Sequence, residues 1–185
     1  MAELSAAAAA VGFRQATESD ALCIGVLATQ VFLDTYATGG IRPALANEAL
    51  EHFSTVAIAG LLADPAAAFI VAEALGHMIG FAQMQLDAPQ PLAPPGTTVE
   101  LRRLYLQRRF IGRGIGKALL GRAHEWAEAR GATSIWLTTW VGNERARAFY
   151  PGQSYRDAGA SVYRFGGDEY ENRVFVRDLR GPAAT

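Results

Sequence analysis

Residues Ile111-Gly112-Arg113-Gly114-Ile115-Gly116-Lys117 set three glycines at alternate positions, between an apolar strand-like run and a long helical pattern. Glycine reaches positive φ and lets a backbone approach a ligand closely. A helix that starts just after such a turn leaves its first N–H groups unpartnered, and its dipole adds positive potential there. The segment predicts a strand–turn–helix unit that suits an anion, a phosphate or pyrophosphate, with Arg113 and Lys117 adding charge. A tight turn that binds nothing is the competing reading. Two familiar glycine loops do not fit. Gly112 and Gly116 enclose three residues where a P-loop needs four, and Lys117 is followed by Ala118. A dinucleotide fingerprint needs G-x-G-x-x-G after an early βαβ unit, whereas the spacing here is G-x-G-x-G.

Around that loop, residue patterns alternate between strand and helix. Phe13 to Ala16 reads as a first strand, and Thr17-Glu18-Ser19-Asp20 has helix-start chemistry. Ala21, Ile24, Leu27, Ala28 and Val31 recur at helical spacing, and Pro43 opens a second helix running toward Ala63. Phe69 to Ala72 and Ile79 to Leu86 read as a hairpin around Leu75-Gly76-His77. A proline-rich loop follows from Asp87 to Gly96. Then come a strand over Val99 to Leu106, a helix over Ile115 to Arg130 and a strand over Ile135 to Trp140. A short helix over Asn143 to Tyr150 precedes strands at Ser161 to Phe165 and Arg173 to Val176, around Gly166-Gly167-Asp168. Consecutive strands make hairpins, so the expected α/β sheet, of α+β type, is mixed and mostly antiparallel.

At 185 residues, 50% hydrophobic and 19% charged, the chain suits one domain with a sizeable core. Residues 1–11, alanine-rich, are expected to be a flexible leader, and residues 12–180 a single domain. Cys23 is the one cysteine, which excludes an intrachain disulfide and a cysteine-based zinc site; no metal is expected. On the first helix it reads as core. A net charge of −1 argues against nucleic acid or an anionic membrane as partner. No apolar run approaches the ~20 residues of a membrane span. The leader lacks the basic end of a secretory signal, so a cytoplasmic location is expected. Charge is nonetheless uneven. Arg102, Arg103, Arg108, Arg109, Arg113, Lys117 and Arg122 crowd one stretch without an acid among them. This is either a solvated face or an anion site.

The pieces around the loop resemble the GNAT superfamily of N-acetyltransferases. The family signature Q/R-x-x-G-x-G/A matches Gly114-Ile115-Gly116, followed by Lys117-Ala118-Leu119-Leu120, with Ile111 where Gln or Arg is usual. A second frame, Arg109-Phe110-Ile111-Gly112-Arg113-Gly114, satisfies the signature literally. The first is preferred because the helical pattern begins at Ile115. Downstream, Asn143-Glu144-Arg145-Ala146-Arg147-Ala148-Phe149-Tyr150 follows the family's N-x-x-A-x-x-F-Y. Ser154-Tyr155 replaces its usual G-F.

The resemblance implies about seven strands flanked by about four helices, with the fourth and fifth strands splayed to admit the pantetheine of acetyl-CoA. Main-chain groups of Leu104, Tyr105 and Leu106 would pair with the pantetheine. Ile111, Gly112, Arg113, Gly114, Ile115, Gly116 and Lys117 would form the pyrophosphate site, and Asn143 and Tyr150 would lie along the arm. The implied reaction is acetyl transfer to a primary amine by direct attack. Tyr150, protonated at neutral pH, would return a proton to the leaving thiolate, and the Leu106 N–H would receive the oxyanion. Glu100 would be the general base, working through water, or an exposed strand-start acid. His77, in a hairpin turn, and His124, on a helix surface, are poorer candidates.

Val31 to Ala37, the helix to Phe53-Ser54 and Phe165 to Tyr170 look like the bacterial polyamine (spermidine/spermine) N-acetyltransferase branch. Asp34, Tyr36, Glu48, Glu51 and Glu100 would then attract a polyamine, or another small amine, unless these acids form a solvated face. A peptide amine is a further acceptor class. The alternatives are a non-catalytic acyl-CoA-binding regulatory module and an ATP- or NAD-binding domain. A homodimer is compatible with the resemblance.

Overall fold

Short connections decide the architecture. The computed structural model describes residues 10–90 and 92–179. Along the chain run β1 (Val11–Gln15), α1 (Ala21–Tyr36), α2 (Pro43–Phe53), α3 (Thr55–Ala63), β2 (Ala67–Ala74) and β3 (His77–Leu86). There follow β4 (Thr98–Leu106), α4 (Ile115–Glu128), β5 (Ser134–Trp140), α5 (Glu144–Phe149), β6 (Arg156–Phe165) and β7 (Asp168–Asp178). The strands form one sheet in the order β1-β2-β3-β4-β5-β7-β6. Two-residue turns close the hairpins. Leu75 and Gly76 have φ of 52° and 75°, and Gly166 and Gly167 have 60° and 84°. These left-handed pairs match the twist of the flanking strands. Among the described strands only β4 and β5 run parallel, and α4 supplies the crossover between them.

The sheet is covered on both faces. α4 packs Leu119, Leu120, Ala123 and Ala127 on Ile79, Met84, Val99, Leu101, Ile135 and Phe175. On the other face, α1, α2 and α3 bury Ile24, Phe32, Phe53 and Ile58 with Phe69, Val71 and Phe81.

Several elements depart from the sequence expectation. The helix expected from Pro43 to Ala63 is two helices. Ser54 stays extended, with ψ 152°, and its hydroxyl accepts from the Ala57 N–H at 3.2 Å. A serine cap satisfies an orphan donor and starts a new helix, so the described residues form five α-helices rather than about four. Val11, assigned to the leader, is the first residue of β1; residues 1–9 and 180–185 lie outside the described residues. Cys23 is exposed rather than core, because the register of α1 buries Ala21, Ile24, Leu27, Ala28 and Phe32. His77 belongs to β3, opposite Ala74, and the turn lies before it.

Candidate active site

β4 and β5 pair only at Thr98 with Ser134, Val99 with Ile135 and Glu100 with Trp136. Beyond Glu100 the strands part, while β4 stays on β3 through Leu106 and β5 stays on β7 through Trp140. A bulge marks the parting. Gln83 faces Arg103 and Met84 faces Leu101, leaving Arg102 as the extra residue. A bulge bends its strand and increases local twist, which carries the end of β4 away from β5. The expected splay is present.

Register decides which main-chain groups face this gap. The Gln107 N–H donates to the Ile79 carbonyl at 2.9 Å. Bonded and non-bonded pairs alternate in an antiparallel ladder, so Tyr105 with Phe81 is the next bonded pair. Leu104 and Leu106 therefore turn their N–H and C=O groups into the gap. Tyr105 spends its main chain on β3, which corrects its expected role.

The glycine loop follows a 3-10 turn at Arg108–Phe110. Gly112 and Gly114 have φ of 81° and 79°, values that exclude most side chains. Gly114 caps α4, which starts at Ile115, the premise of the first frame. Among the described residues, no acceptor takes the N–H groups of Gly112 through Lys117. A Cβ at Gly112, Gly114 or Gly116 would meet nothing within 4 Å, so open space lies against these amides. Ile111 does not join them: its N–H donates to the Arg108 carbonyl at 3.2 Å. Arg113 and Lys117 are exposed beside the loop. The basic run is not one patch. Arg102 bonds Glu100, Arg122 lies 4.9 Å over the Phe13 ring and Arg103 turns to the α2 side, over Phe53.

Tyr150 follows directly on α5. Asn143 caps that helix, its Oδ1 accepting from the Ala146 N–H at 3.1 Å. That oxygen is committed to the helix, and the amide NH2 donates to no described residue. The Tyr150 ring packs against Phe149, Tyr155 and Phe175, with centroids 5.2, 5.5 and 6.0 Å away. It is 7% exposed, and no described residue hydrogen-bonds its hydroxyl. Burial raises this phenol well above 10, and the Tyr105 and Tyr36 phenols raise it further. Those two pack with the α1–α3 cluster, whereas Tyr150 packs with the α4 cluster. Tyr150 thus feels Tyr105, a β4 residue beyond the last pairing with β5.

On the α1–α3 face the site is aromatic. Tyr36 lies 5.7 Å from Trp140 and 5.0 Å from Phe32, and Trp140 meets Tyr170 edge-on at 6.5 Å. Tyr36 also lines a cavity of 340 Å³ with Gly39, Gly40, Ile41, Arg42 and Leu45. Arg42 pairs with Asp168 at 2.6 Å and donates to the Tyr170 hydroxyl. The Tyr163 hydroxyl donates to Glu48 at 2.6 Å, and burial together with that bond pushes it up to about 12. His52 lies 3.4 Å from the same carboxylate. Arg42, at the start of α2, and Glu48, within it, thus tie the helix to the β6–β7 hairpin. Trp140, Arg103, Gln83 and Tyr163 were not among the expected site residues, because long-range pairing alone brings them together.

The expected acids divide. Glu100 sits on the last paired rung before the gap, half-buried, accepting from Arg102 Nε at 2.8 Å. Asp34 is exposed and lies about 200° around α1 from Tyr36. Glu51 is exposed on α2, so Glu48 is the α2 acid that turns inward. His124 is half-buried rather than on the surface, its Nε2 3.0 Å from the Tyr155 hydroxyl. Burial, then Arg177, lowers it to about 4.

The profile of the acetyltransferase (GNAT) family matches residues 35–153. The chain belongs to the GNAT family of acetyltransferases. An uncharacterized N-acetyltransferase of Lactobacillus delbrueckii subsp. lactis is 25% identical over 165 residues, 89% of this chain and 95% of that protein. One of Mycobacterium bovis is 30% identical over 142 residues, 74% and 86%. The fold is also that of the PaiA N-acetyltransferase from Thermoplasma acidophilum in complex with coenzyme A. The TM-score is 0.74 at 19% identity, with 91% of this chain and 99% of that chain covered.

This acetyltransferase is acetyl-CoA-dependent, and its own residues fit that co-substrate. Six consecutive free amides beside open space suit a diphosphate. The main chains of Leu104 and Leu106 suit the amides of a pantetheine arm. Among the described residues, no group of three or more His, Cys, Asp or Glu side chains could hold a metal ion. No described helix is long and apolar enough to cross a membrane.

Proposed function

We propose that this acetyltransferase moves the acetyl group of acetyl-CoA to a small primary amine by direct attack. The reading is supported by the gap that opens beyond Glu100, with the Leu104 and Leu106 main chains along it and the free amides of Gly112 to Lys117 after the same strand. The thioester supplies an acyl group whose carbonyl the Leu106 N–H receives, and that donor lowers the barrier as charge develops on the oxygen. Tyr150 keeps its proton at neutral pH and returns it to the departing sulfur. Glu100 takes the amine proton through water, using the oxygen that Arg102 leaves free. Arg113 and Lys117 add charge to the diphosphate site, and the Asn143 NH2 reaches the arm.

The acceptor enters from the face bearing Tyr36, Trp140 and the 340 Å³ cavity. A polyamine needs acids there, and this face offers mainly Glu48, which Tyr163 and His52 already engage. A small amine with one recognition group fits better. A cytoplasmic location follows from the use of acetyl-CoA. The test is release of free thiol from acetyl-CoA over an amine panel, repeated with Tyr150→Phe and Glu100→Gln. Turnover that both variants leave intact would remove the proposed roles. Thermal shift by acetyl-CoA but not by ATP or NAD excludes a nucleotide-binding domain.

A further inference from the structure

Arg103 is half-buried on β4. Its Nη1 donates to the Gln83 Oε1 at 2.5 Å, and its guanidinium carbon stands 4.9 Å over the Phe53 ring. Arg42, Arg102 and Arg173 each have an acid within 3 Å. No carboxylate of the described residues pairs with Arg103. A charge drawn out of water without a counter-ion is costly, and the cost is removed when an anion arrives. Gln83 is wholly buried, and its Nε2 donates to no described acceptor. The two residues face each other across β3 and β4 at the bulge. Arg103 thus has neutral acceptors, the Gln83 Oε1 and the Tyr105 hydroxyl, but no counter-ion, and the Gln83 Nε2 beside it has no acceptor at all.

Position assigns this pair to the acceptor rather than to the diphosphate. Gln83 alternates with Phe81, and Arg103 with Tyr105, onto the face covered by α1–α3. From Phe53, under Arg103, the rings run to Phe32 at 5.5 Å and to Tyr36 at 5.0 Å, where the cavity opens. The glycine loop lies beyond the far end of β4, outside this run. One guanidinium and one amide match a monoanion with two oxygens, which a guanidinium fork binds with defined geometry. A polycation would instead bring like charge to Arg103.

We propose that the acceptor is a primary amine that also bears a carboxylate, an amino acid in the broad sense, with the carboxylate on Arg103 and Gln83. This rests on the acetyl-transfer reading above and narrows its acceptor. Thiol release is measured with L-phenylalanine, 4-aminobutyrate, the carboxamide of each, and 1,4-diaminobutane. At least one acid exceeds its own carboxamide in kcat/KM by about tenfold or more. An α-carboxamide lowers the basicity of its amine and so favours attack. A preference for the acid therefore cannot come from the amine itself. Arg103→Met brings the ratio to within about twofold, and Gln83→Leu, which removes the Nε2 donor, lowers it as well. Preference for the carboxamides or the diamine, a ratio unmoved by Arg103→Met, or no turnover of either acid overturns the assignment. Calorimetric titration with acetyl-CoA separates the two readings. Failure of the wild-type protein to bind sinks acetyl transfer itself, and binding by both variants shows that their sites are folded.

Discussion

The Tyr36 and Trp140 rings stand 5.7 Å apart, joining the end of α1 to the end of β5. The contact spans the edge of the gap, with Tyr170 completing the wall on the β7 side. On the proposed route an acceptor amine passes this wall on the α1–α3 face, whereas the glycine loop leads into α4 on the opposite face. Trp140→Ala should raise KM for the acceptor several-fold and leave KM for acetyl-CoA within about twofold. The half-exposed indole contributes about 1–2 kcal/mol of stability, less than a fully buried one. Steady-state kinetics with each substrate varied, beside a urea melt, checks both statements.

Gly116 distinguishes a ligand cradle from a mere turn. Its Cβ direction is open, and it lies in the first turn of α4. Gly116→Asp should leave the melting temperature of the free protein equal or slightly higher. Asp outranks Gly in helix propensity, and its charge complements the dipole by about 0.3–1 kcal/mol. The same charge faces the diphosphate, so acetyl-CoA affinity should fall by about a hundredfold or more, read by calorimetry. Unchanged affinity would falsify the placement of the diphosphate.

Tyr150→Phe should lower kcat about a hundredfold, as expected for loss of a general acid, with little change in either KM. Because burial raises this phenol above 10, kcat should show no Tyr150-dependent loss between pH 7 and 10. Tyr36, Tyr105 and Tyr155 are raised as well, mainly by burial. The unfolded chain loses these protons first, near pH 10, so stability falls as pH rises through 10. Urea midpoints at pH 8, 10 and 11 should decline in that order.

His124 gives the opposite slope. Its folded value, about 4, lies below the ordinary 6.5, so the unfolded chain binds the proton first as pH falls. Its contribution is fully present above pH 6.5 and is lost as pH drops toward 4. Allowing for its partial exposure, the loss is on the order of 1–2 kcal/mol. His124→Gln should flatten urea stability between pH 6.5 and 4 relative to the wild-type protein. An equally steep decline in the variant would move the effect to other groups.

Much of this architecture was legible in residue order. The strand before the glycine loop, the helix after it and the Asn143–Tyr150 segment carry local signals: alternation, 3.6-residue spacing, glycine where φ turns positive. Those signals depend on near neighbours, so Gly112, Gly114 and the start of α4 stand where the patterns put them. Departures occurred where a competing contact decided. The Ser54 hydroxyl cut one helix into two, the register of α1 turned Cys23 outward, and the Arg108 carbonyl took the Ile111 amide.

By itself the sequence determined the loop, its family and the free main-chain amides that follow it, because backbone conformation there follows from glycine and helix-start chemistry. The pairing of Gln83 with Arg103, the engagement of Glu48 by Tyr163 and the wall of Tyr36, Trp140 and Tyr170 were decided by tertiary structure alone. Those side chains meet through strand register and helix packing between distant segments, and no local spacing encodes which charge is left without a carboxylate.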